Sequence, residues 1–258
     1  MNAATMLPHR LDRTVTIHAT PEVVFRFFTD SARWAKWWGP GSRVDPRPGG
    51  EIYIKHPGGI ESAGEVVSVD APRTFVFTYG FVKGTPIPAG GSRVTIRLAS
   101  ERNGTRLTLV HEMSDTAARD ELVQGWRFQL SLFANVVADE VNANAARYAD
   151  LWFDAWAEPD AIARKKMMEE IAVAELRMQD RYSNLEGIED VLPHIAASQR
   201  FMPGLRMRRV GEVRHCQGMV LADWIVTGLD GQQKGSGTNV FVFSPSGRIE
   251  WVTGFWGG

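Results

Sequence analysis

Residues 115–141 read DTAARDELVQGWRFQLSLFANVVADEV, and this stretch decides how the chain is built. Leu122, Trp126, Leu130, Phe133 and Val137 recur at spacings of four, four, three and four. At 3.6 residues per turn these side chains fall on one stripe. From Asp115 to Glu158 the only glycine is Gly125, and there is no proline. A long helix is therefore expected from about Ala117. Helix, or a tight kink near Asn142–Asn144, joins it to the second half of the chain in place of a flexible linker.

Working back from that helix, apolar residues alternate with polar ones at a period of two, the signature of half-buried strands. Leu107, Leu109, His111 and Met113 share one side; so do Val94, Ile96 and Leu98. Phe75, Phe77 and Tyr79 form another such set, and Ile52 and Ile54 a shorter one. Asn103-Gly104 reads as a hairpin turn. Arg13–His18 reads as a first strand. Thr20-Pro21 opens a helix with threonine as N-cap and proline at the first helical position. Asp30 or Ser31 caps a second short helix, which Gly39-Pro40 stops.

Working forward, Tyr148, Leu151, Trp152, Ala155 and Trp156 form a second helical stripe. Pro159-Asp160 starts a helix, and Ala174–Gln179 is extended. Another helix runs from Ile188 to about Ser198. Four strands finish the chain, over about 205–214, 218–228, 236–244 and 248–256. Neither half shows the alternation of strand and helix that builds a doubly wound parallel sheet.

Composition narrows the classes. The chain has 258 residues, 44% hydrophobic and 23% charged, which suits a folded globular protein of one large or two ordinary domains. A formal charge of -1, from 29 basic and 30 acidic residues, lacks the basic excess of a nucleic-acid binder. Arg206, Arg208, Arg209 and Arg214 cluster without interleaved aromatics, so no nucleic acid is expected as a partner. The single cysteine, Cys216, forms no internal disulfide. No metal-ligand spacing occurs, and no cofactor is expected. Met1–Arg10 has no secretory apolar core, and no segment suits a bilayer span. A soluble, cytoplasmic protein is expected, and the excess of arginine over lysine associates with a GC-rich bacterial genome.

Thr20-Pro21-x-x-Val24-Phe25, Trp37-Trp38-Gly39-Pro40, Gly49-Gly50 and Gly125-Trp126 carry a resemblance. The first half resembles the START-like (SRPBCC) helix-grip superfamily, in the branch named after the activator of the Hsp90 ATPase. Tyr148-Ala149-Asp150-Leu151-Trp152, Pro159-Asp160, Asp180 and the ending from Gly247 to Gly257 carry a second one. That half is similar to the nuclear transport factor two-like superfamily, in its SnoaL-like branch. Together they imply an α+β architecture: a helix-grip antiparallel sheet with a long C-terminal helix over 1–145, fused to a cone-shaped α+β barrel over 146–258. Each fold implies an apolar cavity. Dimerisation through the second domain's sheet is expected from the resemblance. The separate Hsp90-docking domain has no counterpart here, so Hsp90 is not an expected partner.

The second resemblance places a general base at Asp180, where a carboxylate in an apolar cone suits proton abstraction beside a carbonyl. The blander reading is a surface aspartate paired with Arg181. An acidic donor of the isomerases falls at Asn239, whose amide can donate to an oxyanion but cannot give up a proton. Their tyrosine donor falls near Trp152. His194 either reaches the cone mouth or is a half-exposed helix residue. In the first half, His111 either orients a ligand beside Trp126 or is a bonded core histidine. Tyr53, Phe75, Phe77, His111 and Trp126 are thus candidate ligand contacts, with Trp152, His194 and Phe241 in the second half.

The leading expectation is binding of a small hydrophobic or amphipathic molecule of polyketide, steroid or lipid type. Cofactor-free isomerase, cyclase or hydrolase chemistry with Asp180 as base is the alternative. A chaperone-cofactor or interaction module is a third reading.

Overall fold

The computed structural model describes residues 7–257, so most of Met1–Arg10, where no secretory core is expected, lies outside the described residues. The chain forms two compact units that divide between Ala138 and Asp139. Both are α+β.

In the first unit, β1 (His9–Ile17) is followed by α1 (Pro21–Thr29) and α2 (Ser31–Trp38). Then come β2 (Arg43–Val44), β3 (Glu51–Lys55), β4 (Glu61–Asp70), β5 (Thr74–Tyr79), β6 (Ser92–Glu101) and β7 (Gly104–Met113). The sheet has the order β1-β7-β6-β5-β4-β3-β2 and is antiparallel throughout. The predicted stripe helix is α3 (Thr116–Val141), and its five stripe residues are buried. Thr20 stands at the N-cap of α1 with extended backbone, yet its hydroxyl caps nothing; Pro21 alone marks that start. Asp30 does cap α2, accepting from the Arg33 N–H at 2.9 Å.

Aromatic side chains fill this unit's interior. Phe133 of α3 meets Phe27 edge-on at 5.9 Å, Phe28 at 5.0 Å and Trp37 edge-on at 4.9 Å. Phe75 stacks on Phe28, and Trp34 stands edge-on to Phe77. All of these rings are fully or almost fully buried.

The second unit has α4 (Ala145–Ala157), α5 (Ala161–Ile171), β8 (Ala172–Gln179), β9 (Asn184–Glu186) and α6 (Ile188–Phe201). It ends with β10 (Arg206–Cys216), β11 (Met219–Thr227), β12 (Gln233–Phe243) and β13 (Ile249–Trp256). The sheet order is β10-β11-β12-β13-β8-β9, an open sheet with β10 and β9 at its edges. Only β13 and β8 are parallel in it, and Thr253 faces Gln179 across that pair. The ends of β8 and β13 therefore lie side by side, next to the first half of β12. The four closing strands follow the segmentation read from the sequence to within three residues at each end. Asp160 caps α5, accepting from the Ala163 N–H at 2.7 Å.

Close backbone approach constrains the first sheet. A Cβ on Gly64 would stand 1.8 Å from the Thr78 carbonyl oxygen, which cannot move without breaking the β4–β5 ladder. Gly64→Ala is expected to cost about 3 kcal/mol, at the upper end for overpacking. Urea denaturation of the two proteins measures this.

Candidate functional site

A cavity of about 470 Å³ opens in the second unit, between the concave face of the sheet and helices α4 and α6. Trp152, Trp156, Tyr182, Trp224 and Trp256 supply its aromatic walls, and Met178, Val226 and Val252 add aliphatic surface. Strand alternation explains the floor. Asn239, Phe241 and Phe243 point the same way along β12 and are all buried. Asn239 lines the cavity. Phe241 is packed edge-on under Trp152 and Phe153, so it supports the wall from behind.

Asn239 has a defined orientation. The Trp224 indole N–H, which can only donate, lies 2.9 Å from Oδ1 of Asn239. The amide NH₂ of Asn239 is therefore directed away from Trp224. Gly237 faces Trp224 across the β11–β12 pair, and a Cβ there would come within 2.4 Å of the indole ring. Glycine at 237 is what lets Trp224 lie across the strand.

Asn239 pairs with Gly254 on β13. A Cβ on Gly254 would lie 3.2 Å from Cβ of Asp180 and 3.3 Å from Oδ1 of Asn239. Asp180, Gly254 and Asn239 thus form a row across three neighbouring strand ends. The sequence placed Asp180 and Asn239 at the site but not Gly254, whose missing side chain keeps the space between them clear.

Asp180 is half-buried, and its carboxylate is already held. Oδ1 accepts from the Tyr182 N–H at 2.7 Å and the Ser183 hydroxyl at 2.6 Å. Oδ2 accepts from the Trp256 indole at 3.4 Å. The alternative partner Arg181 instead lies over the Tyr182 ring. His194 is half-buried on α6, lines the cavity and meets Trp156 edge-on at 5.8 Å. Lys234 also borders the cavity, paired with Asp230 at 2.6 Å.

Arg164 and Gln199 hold this wall together, and the sequence reading missed both. Gln199 lines the cavity and donates its amide to the carbonyls of Trp156 and Glu158, at 3.0 and 2.9 Å. Its Oε1 accepts from Arg164 at 3.0 Å, and Arg164 also donates to the Glu158 carbonyl at 2.7 Å. Two side chains thereby satisfy two carbonyls at the end of α4, those of Trp156 and Glu158.

The first unit's candidates sit differently. Tyr53 is on the opposite face of β3 from Ile52 and Ile54. Its ring lies under the Arg43 guanidinium at 4.2 Å and its hydroxyl donates to Glu61 at 2.5 Å. Tyr53 is thus outside the interior between sheet and helix, as strand alternation requires. Phe75 and Phe77 belong to the packed aromatic core.

His111 is fully buried, and both its ring nitrogens have partners. Nδ1 lies 2.9 Å from the Trp126 indole N–H and accepts from it. Nε2 lies 2.7 Å from the Ser92 hydroxyl, which itself donates to the Tyr79 carbonyl at 2.7 Å. Nε2 must therefore carry the proton and Ser92 accept it. The ring is neutral in this network, and burial pushes its pKa down to about 3. His111 and Trp126 satisfy each other as core residues.

Among the described residues no group of three or more histidine, cysteine, aspartate or glutamate side chains is arranged to hold a metal ion. No described helix is long and apolar enough to cross a membrane.

The first unit is a helix-grip domain, a curved antiparallel sheet against one long helix, and the second is a cone-like α+β domain around a cavity. Residues 18–138 match the family model described as activator of Hsp90 ATPase homolog 1-like protein. Among solved structures, a SnoaL-like family protein from Agrobacterium tumefaciens is 26% identical, with 43% of this chain and 96% of that one covered and a TM-score of 0.42. A protein from Mesorhizobium loti is 20% identical over 51% of this chain and 98% of its own, with a TM-score of 0.46. One from Mycobacterium smegmatis is 25% identical over 50% and 87%, with a TM-score of 0.43. No curated protein matches the chain.

The His111 network predicts a pH dependence of stability. The folded-state pKa, about 3, lies below the unfolded value near 6.5, so the unfolded chain takes up the proton first. The contribution is complete above about pH 6.5 and is lost as pH falls toward 3. In His111→Gln the amide accepts from Trp126 and donates to Ser92 without titrating. Urea midpoints from pH 7 to 4 should show the natural protein losing about 1.4 kcal/mol per pH unit relative to that variant, once below about pH 6.

Proposed function

We propose that the protein binds a small hydrophobic or amphipathic molecule in the cavity of its second unit. The observation that carries this reading is the cavity itself, about 470 Å³ and walled by aromatic rings, with a few polar groups at defined places. Small-molecule sites typically measure about 300–1,000 Å³ and combine apolar walls with a few orienting polar groups. Burial of the ligand's apolar surface, at roughly 25 cal/mol per Å², supplies the attraction, and the polar groups choose its orientation. Rings of the first unit pack against one another, and the cavity that supports this reading belongs to the second.

Native mass spectrometry of freshly purified protein tests this for a co-purified molecule. Titration with the neutral dye N-phenyl-1-naphthylamine tests it independently. Val226→Trp, which projects an indole into the cavity, is expected to weaken dye binding at least tenfold with the unfolding midpoint little changed. The reading fails if the natural protein carries no adduct and takes up no dye.

A second reading is favoured by the row Asp180, Gly254, Asn239. A carboxylate and an amide at the cavity floor are the parts of a proton-transfer site that moves a proton next to a carbonyl. Under this reading Asp180→Asn loses turnover at least a hundredfold on an enolisable substrate while dye affinity stays within twofold. Retention of turnover by that variant refutes the catalytic role and leaves binding standing.

A further inference from the structure

The rim of the second unit's cavity is apolar and faces solvent. Tyr182, Met202 and Trp256 line the cavity, yet each is also exposed. Tyr182 and Trp256 meet edge-on at 5.5 Å and form one flank of the opening. At the end of α6, Phe201 stands beside Met202 and is 85% exposed. Leu229, in the turn between β11 and β12, is 87% exposed and lies against Gly204, where a Cβ would come within 2.4 Å of its side chain. Gly204 itself sits between Met202 and Leu205, both lining residues. Phe201 and Leu229 therefore project beside the opening without lining the cavity. Large apolar side chains gathered in this way mark an interaction surface.

Unpaired positive charge accompanies the apolar rim. Arg181 precedes Tyr182, Arg200 precedes Phe201, and Arg206 follows Leu205 where β10 begins. Arg208 shares the strand face of Arg206. All four are exposed, and none has an ion-pair partner among the described residues. Arg147 and Arg214 of the same unit, by contrast, face Glu170 and Asp223. The carboxylates around the opening are those of Asp180, Asp230 and Glu158, and each is engaged. Asp180 accepts from Tyr182, Ser183 and Trp256, Asp230 pairs with Lys234, and Glu158 accepts from the Asp160 N–H. Counting Lys234, five cations stand against these three carboxylates, so the charge left over is positive.

Apolar side chains, interfacial rings and free arginines around one opening are the composition of a surface that seats on a bilayer. Aliphatic and phenyl groups enter the acyl boundary, tyrosine and tryptophan favour the headgroup level, and arginine reaches back to anionic headgroups. The opening also leads into an apolar cavity, and a molecule suited to such a cavity dissolves in bilayers far better than in water. Docking on a surface needs no membrane-crossing helix.

We propose that this rim docks on an anionic lipid surface, with Phe201 and Leu229 entering the acyl boundary and Arg181, Arg200 and Arg206 meeting headgroup phosphates. The cavity then opens toward the bilayer, and its ligand passes between the two without crossing bulk water. This inference rests on the binding reading above and adds the surface from which the ligand is taken.

Co-sedimentation with large unilamellar vesicles tests it, using phosphatidylcholine alone and phosphatidylcholine with phosphatidylglycerol in a two-to-one ratio. The natural protein is expected to bind the anionic vesicles at least tenfold more tightly, and less tightly as salt is raised. Each basic side chain at an anionic leaflet strengthens binding about fivefold. Arg200→Gln with Arg206→Gln should therefore reduce the preference for anionic vesicles at least fivefold. Phe201→Ser with Leu229→Ser should weaken binding to those vesicles at least fivefold. Phe128→Ser, which removes an exposed ring of α3 in the first unit, should change nothing. Dye uptake measured without vesicles should stay within twofold in all three variants, because none of these residues lines the cavity. The inference is overturned if the natural protein binds neither vesicle, if both double variants bind as it does, or if Phe128→Ser abolishes binding. It is also overturned if the natural protein self-associates in sedimentation velocity and Phe201→Ser with Leu229→Ser dissociates it, since a second copy then covers the rim. Dye uptake without vesicle binding overturns this inference alone and leaves the binding reading standing.

Discussion

The hydrogen bond from Trp224 to Asn239 organises the cavity. It closes two otherwise costly valences at once, an indole N–H and an amide carbonyl, both nearly excluded from water. It also assigns the amide's orientation, because indole only donates. Two glycines make room for it. Gly237 lets the Trp224 ring cross the neighbouring strand, and Gly254 leaves the position between Asn239 and Asp180 without a side chain. A side chain at either place would press on the ring or on the pair it separates. The concave floor is therefore a consequence of where side chains are missing as much as of where they are large.

Each unit closes a buried hydrogen-bond network within itself. In the first, His111 accepts a hydrogen bond from an indole and donates one to a serine, whose hydroxyl donates in turn to a carbonyl. Each of these groups is matched within the protein, which is what a core requires. In the second, the matched network lies behind the wall, where Arg164 and Gln199 close the end of α4.

Much of this was readable because strands and helices impress their periods on the sequence. The spacing of Leu122, Trp126, Leu130, Phe133 and Val137 identifies α3, and the alternation along 239–243 places Asn239 on the buried face. The same alternation, applied to Ile52 and Ile54, already puts Tyr53 on the other face. The period of two thus argues against Tyr53 as a ligand contact inside the grip. For His111 the sequence left two roles open, and only the partners of its two nitrogens choose between them. The Asp180, Gly254, Asn239 row was legible in two of its members. The glycine was not, because its function depends on distances between strands that no local pattern encodes.

Local sequence determined the elements: the long stripe helix, the two antiparallel sets of strands, the caps at Asp30 and Asp160, and the burial of Asn239. These follow from side-chain periodicity and from the chain's immediate neighbours. Tertiary structure alone decided which of those elements meet. The parallel pairing of β13 with β8 brings Asp180 beside Gly254, and the packing of α4, α5 and α6 sets Arg164 behind Gln199. Both depend on contacts between residues far apart in the chain. Their energies arise only once the sheet and helices have closed around the same interior.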